Sequence, residues 1–454
     1  MSSLFTRNLK RQYAVIDSAN GSWLQDSAGN KYLDGCSGAV CANLGHGLPE
    51  VKAALEAQLG RVAFAHTSQF VSESAQILSA SLVEMAGTRF VGGKVYFAGG
   101  GSEAVETALK LARAYCVEAD PQTRKTVFIS RRNSYHGSTF GALSVTGHPA
   151  RTSPYQEMLV SQPKISPSYP YRCVCGAPDQ CARTECGIAA AMELQTEIEQ
   201  IGAERVVAFI AEPIVGAALG AVAPHASYWA KIREICTKYN ILLIADEVMT
   251  GLGRCGSNLA LERWGVCADI VVLGKGLAAG YMPLSAVLAS ADVVAPFLSE
   301  QSSGAFEHGF TYSGHPLSCA AGVAVNNYLR TNRVVESVAA RADEFRARLE
   351  LMREHEFVGD VRCTGFLGGL EFVANRKTKE PFPKELRLHR VIADTAWDAG
   401  LLLYPGAAFL PGGRGDHVMV APPLNISDAD MDVLFSKLEK VFKAVGKQLT
   451  AACH

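Results

Sequence analysis

Two apolar runs in the middle of the chain, ILLIA (241–245) and IVVLG (270–274), each end in one charged residue, Asp246 and Lys275. Runs this rich in Ile, Leu and Val predict strands buried on both faces of a parallel sheet. Open sheets of that kind bind ligands in the crevice outside the carboxyl ends of their strands. A carboxylate and an amine are therefore expected at the edge where ligands bind.

The flanking pattern agrees. The opening residues read as short extended pieces, with Ala-Gly-Asn in GSWLQDSAGNKYLDG marking a hairpin. From about Leu48, helices alternate with strands: PEVKAALEAQL, SESAQILSASLVEMA, KVYFAGG, GSEAVETALKLARAY, TVFISR, IAAAMELQTEIEQI, VVAFIAEPI and SYWAKIREICTKY. Alternation of this kind predicts an α/β domain with a mainly parallel sheet. After Tyr328 the texture shifts to long charged helices and short strands around FLGGLEFVA, a smaller α+β domain. The expected organisation is an N-terminal segment, 1–50, packed with a C-terminal small domain, 331–454, and a large ligand-binding domain, 51–330. Two domains sharing a cleft also suit a chain of 454 residues.

The formal net charge of −1 gives no electrostatic reason to expect nucleic acid or an anionic membrane as a partner. No apolar stretch approaches the roughly 18 residues of a membrane span. The basic start, MSSLFTRNLKRQYAVID, lacks the apolar core of a secretory signal and reads as an arm on a cytoplasmic protein. Thirteen scattered cysteines suggest reduced thiols rather than a disulfide framework. Four of them, Cys173, Cys175, Cys181 and Cys186, crowd into YRCVCGAPDQCARTECG. Four thiols so close could hold zinc or a labile disulfide, yet their spacing departs from the paired C-x2-C arrangement of zinc sites, so a thiol-bearing surface insertion is the expectation and no metal is assigned.

Glycines, then a helix, follow strand KVYFA, with Ser102 placed to cap the helix start. Backbone N–H groups at a helix start favour an anion, which makes Gly101 and Ser102 candidate phosphate binders. SYHGST places Tyr135 and His136 at the end of another strand, where an aromatic ring can stack on a flat heterocycle. Asp246 suits a charge-assisted bond to a ring nitrogen, and Val248 can cover the face opposite Tyr135. Lys275, between Gly274 and Gly276, is a candidate Schiff-base amine and proton carrier. Pyridoxal 5'-phosphate (PLP) is the cofactor that needs this set.

These motifs, in this order, resemble the class III aminotransferases of the PLP fold type I superfamily. The matching segments are YLDGCSGAVCANLGHGLPEV, GGGSEAVETALKLAR, SYHGST, AEPIVG, IADEVMTGLGR, WGVCADIVVLGKGLAAGYMPLSAVL, HGFTYSGHPLSCAAG and HVMVAPPLNIS. The resemblance implies a homodimer whose active sites form at the subunit interface. It also implies that Thr311 reaches the phosphate of the partner's cofactor and that Glu212 lines the pocket. Asp246 and Lys275 match the family's pyridine-binding aspartate and Schiff-base lysine.

Two departures concern substrate. Relatives acting on 4-aminobutyrate or ornithine carry an arginine where HVMVAPPL has Met419. Arg414, in PGGRGDH, resembles instead the mobile arginine of amine:pyruvate (ω-) transaminases. Many of those read GLWCVN where this chain reads GAVCAN, so Val40 replaces a tryptophan and the pocket is expected to accept longer or bulkier amines. The implied reaction is ping-pong transfer from an ω-amino acid or other primary amine to a keto acid, pyruvate by expectation. A decarboxylating transaminase, an aminomutase and a catalytically silent PLP-binding protein stand as alternatives.

Overall fold

The computed structural model describes residues 3–173 and 184–452; Cys175 and Cys181 lie outside them. Three sheets organise the chain. Near the N-terminus, β1 (Ile16–Asn20), β2 (Trp23–Asp26) and β3 (Lys31–Asp34) form an antiparallel meander. The hairpin expected around Ala-Gly-Asn is the β2–β3 turn.

The large sheet contains β4 (Lys94–Ala98), β5 (Val127–Arg131), β6 (Lys164–Ile165), β7 (Val206–Ala211), β8 (Leu242–Asp246), β9 (Ile270–Leu273) and β10 (Ser285–Ala289). Their spatial order is β4-β10-β9-β8-β7-β5-β6. The run from β9 to β6 is parallel throughout. β10 runs antiparallel to both its neighbours, which makes it the exception in an otherwise parallel sheet.

Residues in the central strands alternate between two apolar clusters. Leu243, Ala245, Val271 and Leu273 face one, while Leu242, Ile244, Ile270 and Val272 face the other. That double burial is why the strands carry continuous apolar runs rather than an alternating pattern. The helix Gly101–Ala119 covers the second face with Ala104, Val105, Ala108 and Ala112, all fully buried. Trp229 and Ile232, from helix Tyr228–Lys238, cover the first.

The last part of the chain supplies β11 (Val358–Thr364), β12 (Leu367–Phe372), β13 (Leu401–Leu402), β14 (Tyr404–Leu410) and β15 (Arg414–Val420). Strands β11, β12, β15 and β14 form an antiparallel sheet in that order, whereas β13 pairs in parallel with β3. A C-terminal strand thereby extends the N-terminal meander.

A buried guanidinium joins these parts. Arg254 donates to the carbonyls of Phe366 (3.0 Å) and Pro422 (2.6 Å), to Ser37 Oγ (3.2 Å) and to Asn43 Oδ1 (2.8 Å). Burial lowers its pKa to about 10, still high enough to keep it charged at neutral pH. The long helix Pro316–Thr331, which the sequence reading did not pick out, packs on Glu73–Met85 through contacts such as Asn326 to Ser81.

Glu247, beside Asp246, is fully buried and has its pKa pushed up to about 7 by that burial, against the pull of Thr250 and the Leu261 N–H. The folded chain therefore binds a proton that the unfolded chain has released, and this group's contribution to stability falls as pH rises from about 4.5 to about 7. The loss is at most about 3 kcal/mol. Glu247→Gln keeps an acceptor for Leu261 without a charge. Its melting temperature should exceed the wild-type value by a few degrees at pH 8 and match it near pH 5; an equal offset at both pH values would rule out the buried charge as the cause.

Candidate active site

Five strand ends converge on one cavity of about 200 Å³, lined by Gly101, Ser102, Tyr135, His136, Gly137, Glu212, Ala217, Asp246, Val248, Met249 and Lys275. The residues follow β4, β5, β7, β8 and β9, all at the carboxyl edge of the sheet. This is the crevice that the two charged strand ends predicted.

Asp246 is nearly buried, and its Oδ2 meets His136 Nδ1 at 2.7 Å while Oδ1 accepts the Val248 N–H at 3.1 Å. The His136 backbone N–H donates to Thr146 Oγ1 at 2.9 Å, so the imidazole that buttresses Asp246 is itself held. His136 Nε2 is buried and has no protein partner among the described residues.

Glu212 is fixed by two backbone donors, Tyr135 N–H at 3.0 Å and Gly216 N–H at 2.9 Å. Burial raises its pKa; the neighbouring His136 and these amides oppose that rise, whereas Asp246 adds to it. The Arg131 guanidinium, fully buried above Trp229, donates to the Glu212 carbonyl, and Trp229 Nε1 donates to Pro213 O at 3.1 Å. Together they set where the segment after β7 leaves the sheet.

Lys275 opens a short turn, Lys275–Leu277, with a left-handed backbone at φ +42°. Burial lowers its amine pKa, and the facing carboxylates Asp246 and Glu212 raise it only in part. Cys41 lies close enough for Lys275 to influence its thiol.

The glycine loop after β4 differs in one respect from expectation. Gly100, not a serine, occupies the N-cap position, and Ser102 makes no capping bond. Ser102 lies inside the first turn, where its hydroxyl accepts the Ser138 N–H at 3.0 Å and ties this loop to the one after β5. Close approach explains the glycines: a Cβ at Gly137 would lie 2.8 Å from Ser102 Oγ, and one at Gly101 3.1 Å from Val248 Cγ1. The first-turn amides have no carbonyl partner within the helix and are available to an anion.

Tyr135 is half-buried; its hydroxyl meets Ser138 Oγ at 2.9 Å, and the Arg151 guanidinium lies 5.8 Å from its ring centroid. Arg151, Ala217, Met249 and Cys41 were not picked out from sequence. Ala217 and Met249 follow the motif residues Glu212 and Asp246 closely, so the motifs themselves pointed toward them.

Three expected residues lie off this cavity. Val40 is fully buried at φ +57° in an apolar cluster with Met249 and Met419. Arg414 starts β15, exposed, and pairs with Glu380 at 2.6 Å. Thr311 is exposed and does not line the cavity of its own chain.

The residues fit PLP. They offer helix-start amides at Gly101 and Ser102 for an anion, Tyr135 and Val248 in the lining of the same cavity, a carboxylate for a ring nitrogen and an amine. His136 Nε2 remains as a buried polar atom facing the same space.

Comparison with known proteins is consistent with that fit. The family profile described as Aminotransferase class-III matches residues 5–442. An uncharacterized aminotransferase, YodT, of Bacillus subtilis is 40% identical over 452 residues, covering 99% of each chain. A putrescine–pyruvate aminotransferase of Pseudomonas aeruginosa is 34% identical over 94% of this chain and 90% of its own. A PLP-bound amine transaminase structure from an uncultivated Pseudomonas species superposes with a TM-score of 0.89 at 32% identity, covering 98% of both chains. The chain belongs to the class III aminotransferases, PLP-dependent enzymes of fold type I.

Proposed function

We propose that the enzyme moves an amino group from an ω-amino acid or other primary amine to a keto acid, pyruvate in particular, in two half-reactions at the one cavity. The observation that carries this reading is the convergence of Asp246, Lys275, Tyr135 and Val248 on that cavity. The named activity of the Pseudomonas aeruginosa relative supports pyruvate as acceptor.

Bound PLP supplies an electron sink for the carbon that carries the amino group. Asp246 keeps that sink effective by holding the ring nitrogen protonated, with His136 fixing the carboxylate. Gly101 and Ser102 hold the phosphate through first-turn amides, and Tyr135 and Val248 hold the ring from its two faces. Lys275 anchors the cofactor through Nζ in the resting enzyme. Burial lowers the pKa of Nζ, which favours the neutral amine that would take a proton from the donor carbon. In the second half-reaction the same Nζ returns a proton to the carbon derived from the keto acid.

The acceptor's carboxylate is met by Arg414, which lies off the cavity and would swing toward it. Its exposed pair with Glu380 is worth no more than about 1 kcal/mol, so exchanging that partner for a substrate costs little. A homodimer completes the site, with Thr311 reaching the partner's cofactor phosphate. The exposed apolar side chains Leu59, Val62, Phe64, Phe70, Val71 and Tyr312, with Phe64 edge-on to Tyr312 at 5.9 Å, support such a contact surface.

Titrating the PLP-loaded enzyme with a panel of amines, without keto acid, should bleach the visible band of the lysine-bound cofactor for the true donor. Lys275→Ala should still bind PLP yet lose that band and turnover by several orders of magnitude; substantial residual transamination would remove Lys275 from its role. Carbon dioxide release during turnover would redirect the reading to a decarboxylating transaminase.

Arg414→Ala should raise KM for pyruvate by about tenfold, the loss of one charge-assisted contact, and leave the half-reaction with a neutral amine within about twofold. Equal losses in both halves, or a larger pyruvate effect from Arg151→Ala, would move the clamp elsewhere.

A further inference from the structure

Cys173 and Cys186 do not line the cofactor cavity, yet the fold gives these two thiols a partner that the sequence did not reveal. Cys173 follows the turn Pro170–Arg172, and Cys186 sits in the first turn of helix Thr184–Ile201. His225 comes from a third segment, shortly before helix Tyr228–Lys238. One ligand atom from each, two Sγ and a ring nitrogen, lie within 4.8 Å of one another. Tetrahedral zinc with bonds of about 2.0–2.3 Å sets its ligand atoms roughly 3.5–3.8 Å apart. The gathering is therefore within a small adjustment of a binding geometry.

The surroundings are built to hold it. His225 is 6% exposed, while both cysteines are half-buried. Ser168 Oγ lies 2.7 Å from His225 Nδ1 and accepts the His225 backbone N–H at 3.2 Å. A hydrogen bond at Nδ1 orients the ring, as the outer partners of metal-bound histidines commonly do. The helix start is pressed onto this loop: a Cβ at Gly187 would lie 2.2 Å from Ser227 Oγ and 3.0 Å from His225 Cβ. Cys173 is held from its other side, because Arg172 Nε donates to the buried Glu371 at 2.6 Å.

We propose that Cys173, Cys186 and His225 bind a structural zinc ion. Binding converts both thiols to thiolates, so two protons leave and the ion with its two sulfurs carries no net charge. The fourth position is left to water or one further donor. None of the three lines the cofactor cavity. The ion acts instead by joining three segments, one of which runs back from His225 to Ala217 and Glu212, the cavity wall. Its role is that of a staple, independent of the transamination chemistry.

The test uses the PLP-loaded protein, prepared in reducing buffer, supplied with zinc and then dialysed free of unbound metal. Mass spectrometry of the metal should give about one zinc per chain in the wild type and in Cys267→Ser, an exposed thiol elsewhere. Cys186→Ser and His225→Ala should each hold about tenfold less. Should either variant fail to fold, cobalt titration of the wild type gives the same information, because thiolate-to-cobalt charge transfer and intense tetrahedral bands require sulfur ligands. A wild type that takes up no zinc, variants that retain it, or a Cys173–Cys186 disulfide in the reduced preparation would each overturn the proposal.

Discussion

The register between β8 and β9 is the constraint from which the site follows. Ala245 pairs with Val271 and Asp246 with Val272, so the carboxylate ends one strand while its neighbour continues briefly toward Lys275. Gly274 and Gly276 then let the surroundings close in: a Cβ at Gly276 would stand 2.2 Å from Asn43 Nδ2, and one at Gly274 3.3 Å from Val248 Cγ1. Asn43 is itself held by Arg254, which also gathers Ser37, Phe366 and Pro422. A parallel pair, two glycines and a buried guanidinium thus fix the amine opposite the acid. Lys275 adopts its left-handed backbone inside that frame, at a cost of about 1–2 kcal/mol.

The same burial gives two neighbouring carboxylates different characters. Asp246 faces an imidazole across 2.7 Å, a contact that can be charge-assisted. Glu212 accepts from two backbone N–H groups, and burial together with the Asp246 charge raises its pKa against the pull of His136 and those amides. Like charges in one desolvated pocket resist simultaneous ionisation. Both carboxylates moderate the depression of the Lys275 pKa.

Much of this was legible in the sequence because double burial leaves a loud signal. ILLIA, IVVLG and VVAFIA became β8, β9 and β7 within a residue or two, and their final polar residues became the site. Strand β10 was quieter: SAVLA is short and small-residued, and its antiparallel direction has no mark in composition. The helix Pro316–Thr331 escaped for a related reason. Its start, PLSCAAG, is small and nearly uniform in polarity, so close packing against Glu73–Met85 rather than periodicity made it helical. Ser102 was misread as a cap since serine before a helix usually is one; here Gly100 takes that position and frees the hydroxyl for Ser138. His225 could not be read beside the cysteines at all, because only the sheet brings those segments together.

Val40 and Met419, the two positions where the chain departs from relatives, were read separately from sequence and turn out to share one apolar cluster with Met249, a cavity-lining residue. Asp34 holds the Val40 loop through the Cys36 and Gly38 N–H groups, and Ala421 and Leu424 return backbone bonds to Gly35 and Asn43. The wall is therefore both apolar and rigid. A guanidinium at the fully buried Met419 would need a permanent anionic partner to offset its desolvation. With methionine there, this side of the cavity has no fixed charge to discriminate between an apolar tail and a carboxylate, and apolar contact alone favours the tail. On the proposed reading, the two half-reactions then part company in space. The donor's tail would meet the side of the cavity that Val40 and Met419 back through Met249, and the keto acid's carboxylate the exposed Arg414 outside it.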